Sequence, residues 1–341
     1  MASLNSRNGR IIVSAILLVI AVVLFVMYEV HQTPRVQYIA NEGKVFGTTY
    51  HIRYEFAENL QESIGAAMQE VDNSLSAFNP NSTISKINEG STQTDAHFLT
   101  VFNKSAEIYR LSDGAFDITV SPLIDAWGFG RNAQPSASPE VIDSILCFVG
   151  FDKIRLEEDQ LIKTDPRISL NASAIAKGYG CDIVADLLDS KGIENYIIEI
   201  GGEVVCKGHN EKGEAWRVGV NTPEDDPAGI NKETQAIVSG NLHLATSGNY
   251  RQFYFEDGIR RSHTIDPRTG CPVSNNLLSA TVISSDCMTA DGLATACMVM
   301  GLETSIEIIE ELPNTECFLI YDEDGEHFVK KSSGFNKYIV K

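Results

Sequence analysis

RISLNASAIAKGYGCDIVADLLDSKG, residues 167–192, runs directly into IENYIIEIGGEVVCKG, residues 193–208. The first part reads as a strand, a tight turn of small residues, and then a helix whose apolar positions recur at helical spacing and which stops at Gly192, the residue type suited to a left-handed C-cap. The second part alternates as a pair of strands broken at Gly201-Gly202. A helix that feeds a hairpin points away from a doubly wound parallel sheet. No GxGxxG follows a strand anywhere in the chain, and no GxxxxGK followed by Ser or Thr occurs. The expectation is an α+β fold with mostly antiparallel strands and inserted helices.

The flanks agree. KVFGTTYHIRYEF (44–56) alternates like a strand, and ENLQESIGAAMQEVDNSLSAF (58–78) carries a helical pattern that ends at the turn signal Asn79-Pro80-Asn81. A second helix is predicted over 96–112, before Gly114, and FDITVSPLIDAWGF (116–129) reads as an apolar strand whose regular pairing ends at Pro122. WRVGV (216–220) continues the sheet, and the acidic NTPEDDPAGINKE (221–233) reads as a solvated loop. RQFYFEDGIRRSHTI (251–265) is a hairpin with Asp257-Gly258 at its tip. DGLATACMVMGLETSIEIIEEL (291–312) gives two helical pieces around Gly301, and ECFLIYDEDGEHFVKKS (316–332) closes with a hairpin turning at Asp324-Gly325.

Before all this lies IIVSAILLVIAVVLFVMYEV, Ile11 to Val30, with one late acidic residue. At about 1.5 Å per residue it matches a hydrocarbon core of about 30 Å, so it is expected to be a membrane anchor. Arg7 and Arg10 precede it, which places residues 1–10 in the cytoplasm and the body on the periplasmic side of an inner membrane. A cleaved signal peptide is the rival reading. Residues 31–42 then form a tether and 43–341 the catalytic body. No cysteine precedes Cys147, so attachment through a lipidated N-terminal cysteine is not expected.

The 341 residues carry 27 Lys and Arg against 46 Asp and Glu, a formal charge of −19 with no basic cluster beyond the N-terminus. A nucleic-acid footprint is therefore excluded, and an anionic ligand would need local help from a metal or helix termini. The seven cysteines have no CxxC spacing, which fits neither a disulfide framework nor a zinc site.

Three stretches could carry chemistry. Asp291 and Thr295 are four apart, so on a helix they offer two hard oxygens from one face, suited to Mg²⁺; the ordinary alternative is a helix N-terminal acid with a back-bonding threonine. In SAIAKGYG (173–180) small residues allow close backbone approach and Lys177 stands at a helix start, where amides favour phosphate; the ordinary alternative is a strand-to-helix turn whose small residues serve packing. His263, in SHTIDPRTGCPV (262–273), precedes an Asp-Pro turn and is read locally either as a chemical group or as a hairpin neighbour. GGE (201–203) and TSGNY (246–250) read as glycine turns.

Taken in order, GTTYHI, SLSAFNPNSTISKIN, GAFDITVSPLIDAWGF, SLNASAIAKGYGCD, IIEIGGE, ATSGNYRQF, SHTIDPRTGCPV and TADGLATA resemble the ApbE family, the FAD:protein FMN transferases formerly described as thiamine biosynthesis lipoproteins. The resemblance spans roughly residues 44 to 330. It implies a T-fold-like, two-lobed catalytic domain that cleaves FAD, releases AMP and attaches FMN through a phosphoester to an acceptor threonine, with Mg²⁺ as cofactor. By the same resemblance Asp291, Thr295 and the Ala174 carbonyl are metal ligands. Phe46, Phe78, Ala115, Phe116, Asp117, Asn171, Lys177 and Ile265 are FAD contacts, with the Phe78 ring against the isoalloxazine, and His263 assists the acceptor hydroxyl. Asn171 stands where many members carry Asp, and no lipobox cysteine is present, which suggests a helix-anchored member. Implied acceptors are subunits of the Na⁺-translocating NADH:quinone reductase or Rnf complexes. An Mg²⁺-dependent FAD pyrophosphatase and a flavin-binding protein without turnover are the competing functions.

Overall fold

The computed structural model describes residues 11, 14–22, 36–130, 135–221, 234–249, 253–256 and 259–340. Its strands are β1 (Gln37–Val45), β2 (Thr48–Phe56), β3 (Ile154–Glu157), β4 (Gln160–Lys163), β5 (Tyr196–Ile200), β6 (Glu203–Lys207), β7 (Arg217–Asn221), β8 (Thr234–Ser239), β9 (Leu242–Gly248), β10 (Phe253–Glu256), β11 (Ile259–Ser262), β12 (Leu277–Ile283), β13 (Glu316–Glu323) and β14 (Glu326–Lys331). Its helices are α1 (Gln61–Leu75), α2 (Thr83–Asn88), α3 (Ala96–Leu111), α4 (Ser121–Ala126), α5 (Pro139–Leu146), α6 (Ala176–Ser190), α7 (Cys287–Met300) and α8 (Leu302–Glu311).

Eight strands form one sheet in the order β1-β2-β5-β6-β9-β12-β13-β14, every neighbouring pair antiparallel. Side chains alternate as the pleat requires: Tyr50, Ile52 and Tyr54 of β2, and Tyr196, Ile198 and Ile200 of β5, point into a core shared with α1 and α6. A second core gathers α3, α7 and α8 over β12 and β13. On the opposite face Trp216, Val220, Val238 and Phe335 cover β6, β9 and β13, which is why β6 is buried on both sides. The helix α7 is apolar all round and almost wholly buried, as a central helix must be.

Where the structure differs from the sequence reading, side chains explain the difference. Strand β1 begins at Gln37, inside the stretch assigned to a tether, and turns at Phe46 and Gly47, whose φ angles of 51° and 75° suit a two-residue hairpin. Residues 116–129 are not a strand. Asp117 accepts the Thr119 N–H at 2.7 Å and starts a short 3₁₀ turn that passes into α4, where Pro122 lies in the first turn and its missing N–H costs nothing. Residues 167–170 form no strand either, because the Asn88 amide bonds both the N–H and the carbonyl of Leu170 (2.7 and 2.9 Å) and takes the place of a ladder partner.

The remaining elements follow the pattern. Gly192 closes α6, its N–H bonding the Asp189 carbonyl and the next N–H that of Leu188. Asp324 and Gly325 turn the last hairpin with φ of 56° and 85°. Five of the seven cysteines are buried, and all are free. The acidic loop at 222–233 and the hairpin tip at 257–258 lie outside the described residues, as do residues 1–10, 12–13 and 23–35. Ile11 and residues 14–22 are helical. Among the described residues no helix is long and apolar enough to cross a membrane, and much of the predicted anchor lies outside them.

Candidate active site

The site begins where α6 and α7 touch. A Cβ on Gly178 would lie 2.3 Å from the Cys287 carbonyl oxygen and 2.8 Å from the Cβ of Asp291, so only glycine lets the helices meet at this distance. The small-residue turn thus serves helix contact. Asp182 of α6 accepts the N–H groups of Cys287 (2.9 Å) and Met288 (2.8 Å), while Asp286 accepts that of Thr289 (2.7 Å). With both capping positions taken, Asp291 is no helix cap. It sits in the second turn of α7, 1% exposed.

Asp291 Oδ2 accepts the Gly178 N–H at 2.9 Å. Gly178 is the third residue of α6, so its N–H is one of the first-turn donors that find no acceptor within the helix, and Asp291 satisfies it. Asp291 Oδ1 lies 3.6 Å from the Lys177 ammonium, which is also 3.3 Å from Glu203 Oε1. Glu203 is 2% exposed, and its Oε2 has no hydrogen-bond partner among the described residues. Burial pushes the Glu203 carboxyl well above the usual carboxylate range, even against the opposing pull of Lys177. Burial alone would lower Lys177, but Asp291 and Glu203 more than offset it and hold the ammonium above the ordinary lysine range. Two buried acids share one lysine, and burial disfavours ionising both.

One turn along α7, Thr295 Oγ1 lies 3.2 Å from Ser247 Oγ on β9. These groups line a cavity of about 820 Å³ that also takes in Ala115, Phe116, Asp117, Asn171, Ala174, His263 and Ile265, within the roughly 300–1,000 Å³ usual for small-molecule sites. Asp117 accepts the N–H groups of Thr119 (2.7 Å) and Phe151 (2.8 Å), and burial raises its carboxyl to about 6. Asn171 Oδ1 accepts the Ser173 N–H at 2.8 Å, which sets the turn that leads to Ala174. The His263 ring stands edge-on to Phe129, centroids 6.4 Å apart. Ile265 is buried against the α4–α5 cluster.

Ten of the predicted site residues therefore share one cavity, although they come from distant parts of the chain. Phe46 and Phe78 stand outside its lining. Phe46 packs against Gly180 under the β1–β2 turn, and Phe78 is 66% exposed beyond the end of α1. Sequence reasoning took Glu203 and Ser247 for turn residues and passed over the His51–Glu199 pair (2.8 Å), all of them in the wall. The available signal for Glu203 was an acid opening the apolar strand EVVC.

The donors are hard oxygens: one carboxylate, one hydroxyl and one carbonyl. They suit a divalent cation that completes its shell from water and phosphate, and such an ion would offset the cost of ionising two buried acids beside one lysine. Among the described residues no cluster of three or more His, Cys, Asp or Glu is assembled, as a transition-metal site would need.

The ApbE family model matches residues 46–319. The FAD:protein FMN transferase of Vibrio cholerae is 38% identical over 315 residues, covering 88% of this chain and 92% of the relative. That of Haemophilus influenzae is 34% identical over 318 residues, 88% of this chain and 91% of its own. The solved structure of the flavin transferase ApbE from Vibrio cholerae matches with a TM-score of 0.81 at 36% identity, covering 89% of this chain and 100% of that one.

Proposed function

Because the chain belongs to the ApbE family, we propose that it is an FAD:protein FMN transferase, which moves FMN from FAD onto a threonine or serine hydroxyl of an acceptor protein and releases AMP. The observation that carries this reading is the one cavity that Lys177, Glu203, Asp291, Thr295 and His263 all line.

FAD brings an anionic pyrophosphate to a protein of formal charge −19, so binding depends on local cations. Lys177 is one, held in the cavity wall by two carboxylates. Asp291, Thr295 and the Ala174 carbonyl would hold Mg²⁺. When bound, that ion withdraws charge from the phosphate oxygens and orients them. His263 takes the acceptor's hydroxyl proton as its oxygen bonds to the phosphorus of the FMN half. The bond from that phosphorus to the bridging oxygen breaks, AMP departs with the electron pair, and the proton passes from the imidazole to solvent. Ile265 and Phe116 supply apolar walls, and the exposed Phe78 ring, which lies outside the cavity lining, is proposed to stack on the flavin.

The anchor at Ile11 to Val30, with Arg7 and Arg10 before it, supports a catalytic body on the periplasmic side of the inner membrane. Flavin-carrying subunits of Na⁺-translocating NADH:quinone reductase or Rnf complexes are the proposed acceptors. The test incubates the chain with FAD, Mg²⁺ and such a subunit. In-gel flavin fluorescence on the acceptor, matched by equal AMP, is expected. Free FMN in place of labelled acceptor would mean a pyrophosphatase, and unchanged FAD a binding protein.

A further inference from the structure

Glu203 has no assigned task, yet the fold spends effort on burying it. It follows Gly201 and Gly202, whose φ angles of 64° and 107° only glycine adopts readily. A Cβ at Gly201 would lie 2.8 Å from Thr48 Cγ2 and 3.3 Å from Lys177 Cδ, so the turn is pressed against the lysine stem. The carboxylate that emerges is 2% exposed, lines the cavity, touches Lys177 at 3.3 Å and leaves Oε2 without a hydrogen-bond partner among the described residues. A hairpin does not require this: β6 pairs with β5 through the backbone, Glu203 opposite Ile200. An acid held out of water and only half satisfied is costly, and such groups collect where a site uses them.

The lysine stands between two acids, 3.3 Å from Glu203 and 3.6 Å from Asp291. Both are ion pairs, each longer than the about 2.7–2.9 Å of a charge-assisted hydrogen bond, and each acid keeps the lysine from closing fully on the other. We propose that Glu203 is the positioning residue for Lys177: it draws the ammonium off Asp291, so that the Asp291 carboxylate remains available to a divalent cation while the lysine faces the substrate phosphates. This rests on the metal-and-FAD reading of the site given above. Without Glu203, Lys177 pairs with Asp291 alone and competes with the cation for its only charged protein ligand.

The experiment measures Mg²⁺ binding without FAD or acceptor, as the Mg²⁺ concentration at which the melting temperature of the full chain rises. Partners that orient a metal ligand typically change metal affinity by about 10- to 100-fold. Glu203→Gln, isosteric and uncharged, should raise the Mg²⁺ midpoint by about tenfold. In a Lys177→Met background the same Glu203→Gln change should shift it by less than about twofold, because no lysine remains to close on Asp291. A tenfold loss in both backgrounds would mean that Glu203 attracts the ion simply by its charge, and no loss in either would mean that it is structural. Each of these overturns the assignment, as does a wild-type chain with no Mg²⁺ response. A wild-type chain that binds Mg²⁺ but transfers no FMN would sink the transferase reading and leave the Glu203 assignment standing.

Discussion

Gly178→Ala tests the helix contact on which the site is built. The new methyl carbon would lie 2.3 Å from the Cys287 oxygen, 2.7 Å from its carbonyl carbon and 2.8 Å from Asp291 Cβ. Two of these atoms are backbone and cannot rotate away. Non-bonded heavy atoms rest at about 3.5 Å or more, so α6 and α7 must separate by about 1 Å. The Gly178 N–H to Asp291 bond, 2.9 Å in the native chain, is then stretched beyond useful range. Overpacking costs about 1–3 kcal/mol and the lost bond to a buried charge about 1.5–3, against about 0.5–1 gained by alanine over glycine in a helix. A net destabilisation of about 2–4 kcal/mol is expected in urea denaturation followed by circular dichroism. Transfer in the folded variant should fall about 100-fold, the usual consequence of a misplacement of about 1 Å. Gly65→Ala on α1 is the control, because nothing lies within 4 Å of its Cβ position, and it should gain about 0.5–1 kcal/mol. If Gly178→Ala matches the control in stability and keeps its rate, the close contact is not what holds Asp291 in place.

His263→Ala should retain FAD affinity while transfer at saturation falls about 10²- to 10⁴-fold; weaker binding with an unchanged rate would make it a contact residue. Asp291→Ala, like chelation of the wild type, should abolish transfer without unfolding the chain, and Thr295→Val should give a smaller loss partly recovered by excess Mg²⁺. Persistent Mg²⁺ dependence in Asp291→Ala would put the metal elsewhere. Asp117 titrates at about 6 when folded against an ordinary 3.8 because it is buried. The folded state therefore binds its proton more tightly, and stability falls as pH rises between these values, by about 3 kcal/mol in all. Asp117→Asn should flatten urea midpoints between pH 4 and pH 6.5 (about the window of that titration), and an unchanged slope would refute burial as the cause.

Asp291 and Thr295 were legible because a spacing of four survives any error in helix boundaries, and α7 proved helical across both. Residues 116–129 were not, because a short apolar run looks the same whether it becomes a strand or a 3₁₀ turn followed by a helix; the Asp117 cap and the first-turn proline decided it. The small residues at 173–180 allow either a ligand cradle or a packing turn, and the structure uses them for both: Ala174 and Lys177 line the cavity, while Gly178 is needed for α7, a partner more than a hundred residues away that no local pattern reveals. Glu203 was hidden for the same reason. Two glycines and an acid are ordinary turn chemistry until folding places Lys177 against them.

The order of the sheet shapes how such an enzyme can change over time. β6 bonds directly to β9, and β9 to β12, although the β7–β8 and β10–β11 hairpins intervene in sequence. Each hairpin leaves and rejoins the sheet between adjacent strands, so altering its length costs little more than loop closure. Both border the cavity: Val218, Gly219 and Asn221 belong to β7, and His263 directly follows β11. The part of the wall where α6, α7 and the start of β6 bring Lys177, Glu203 and Asp291 together is untouched by such edits. The rim formed by these hairpins can therefore drift, or be grafted by an engineer, while the charged cluster below it stays constant.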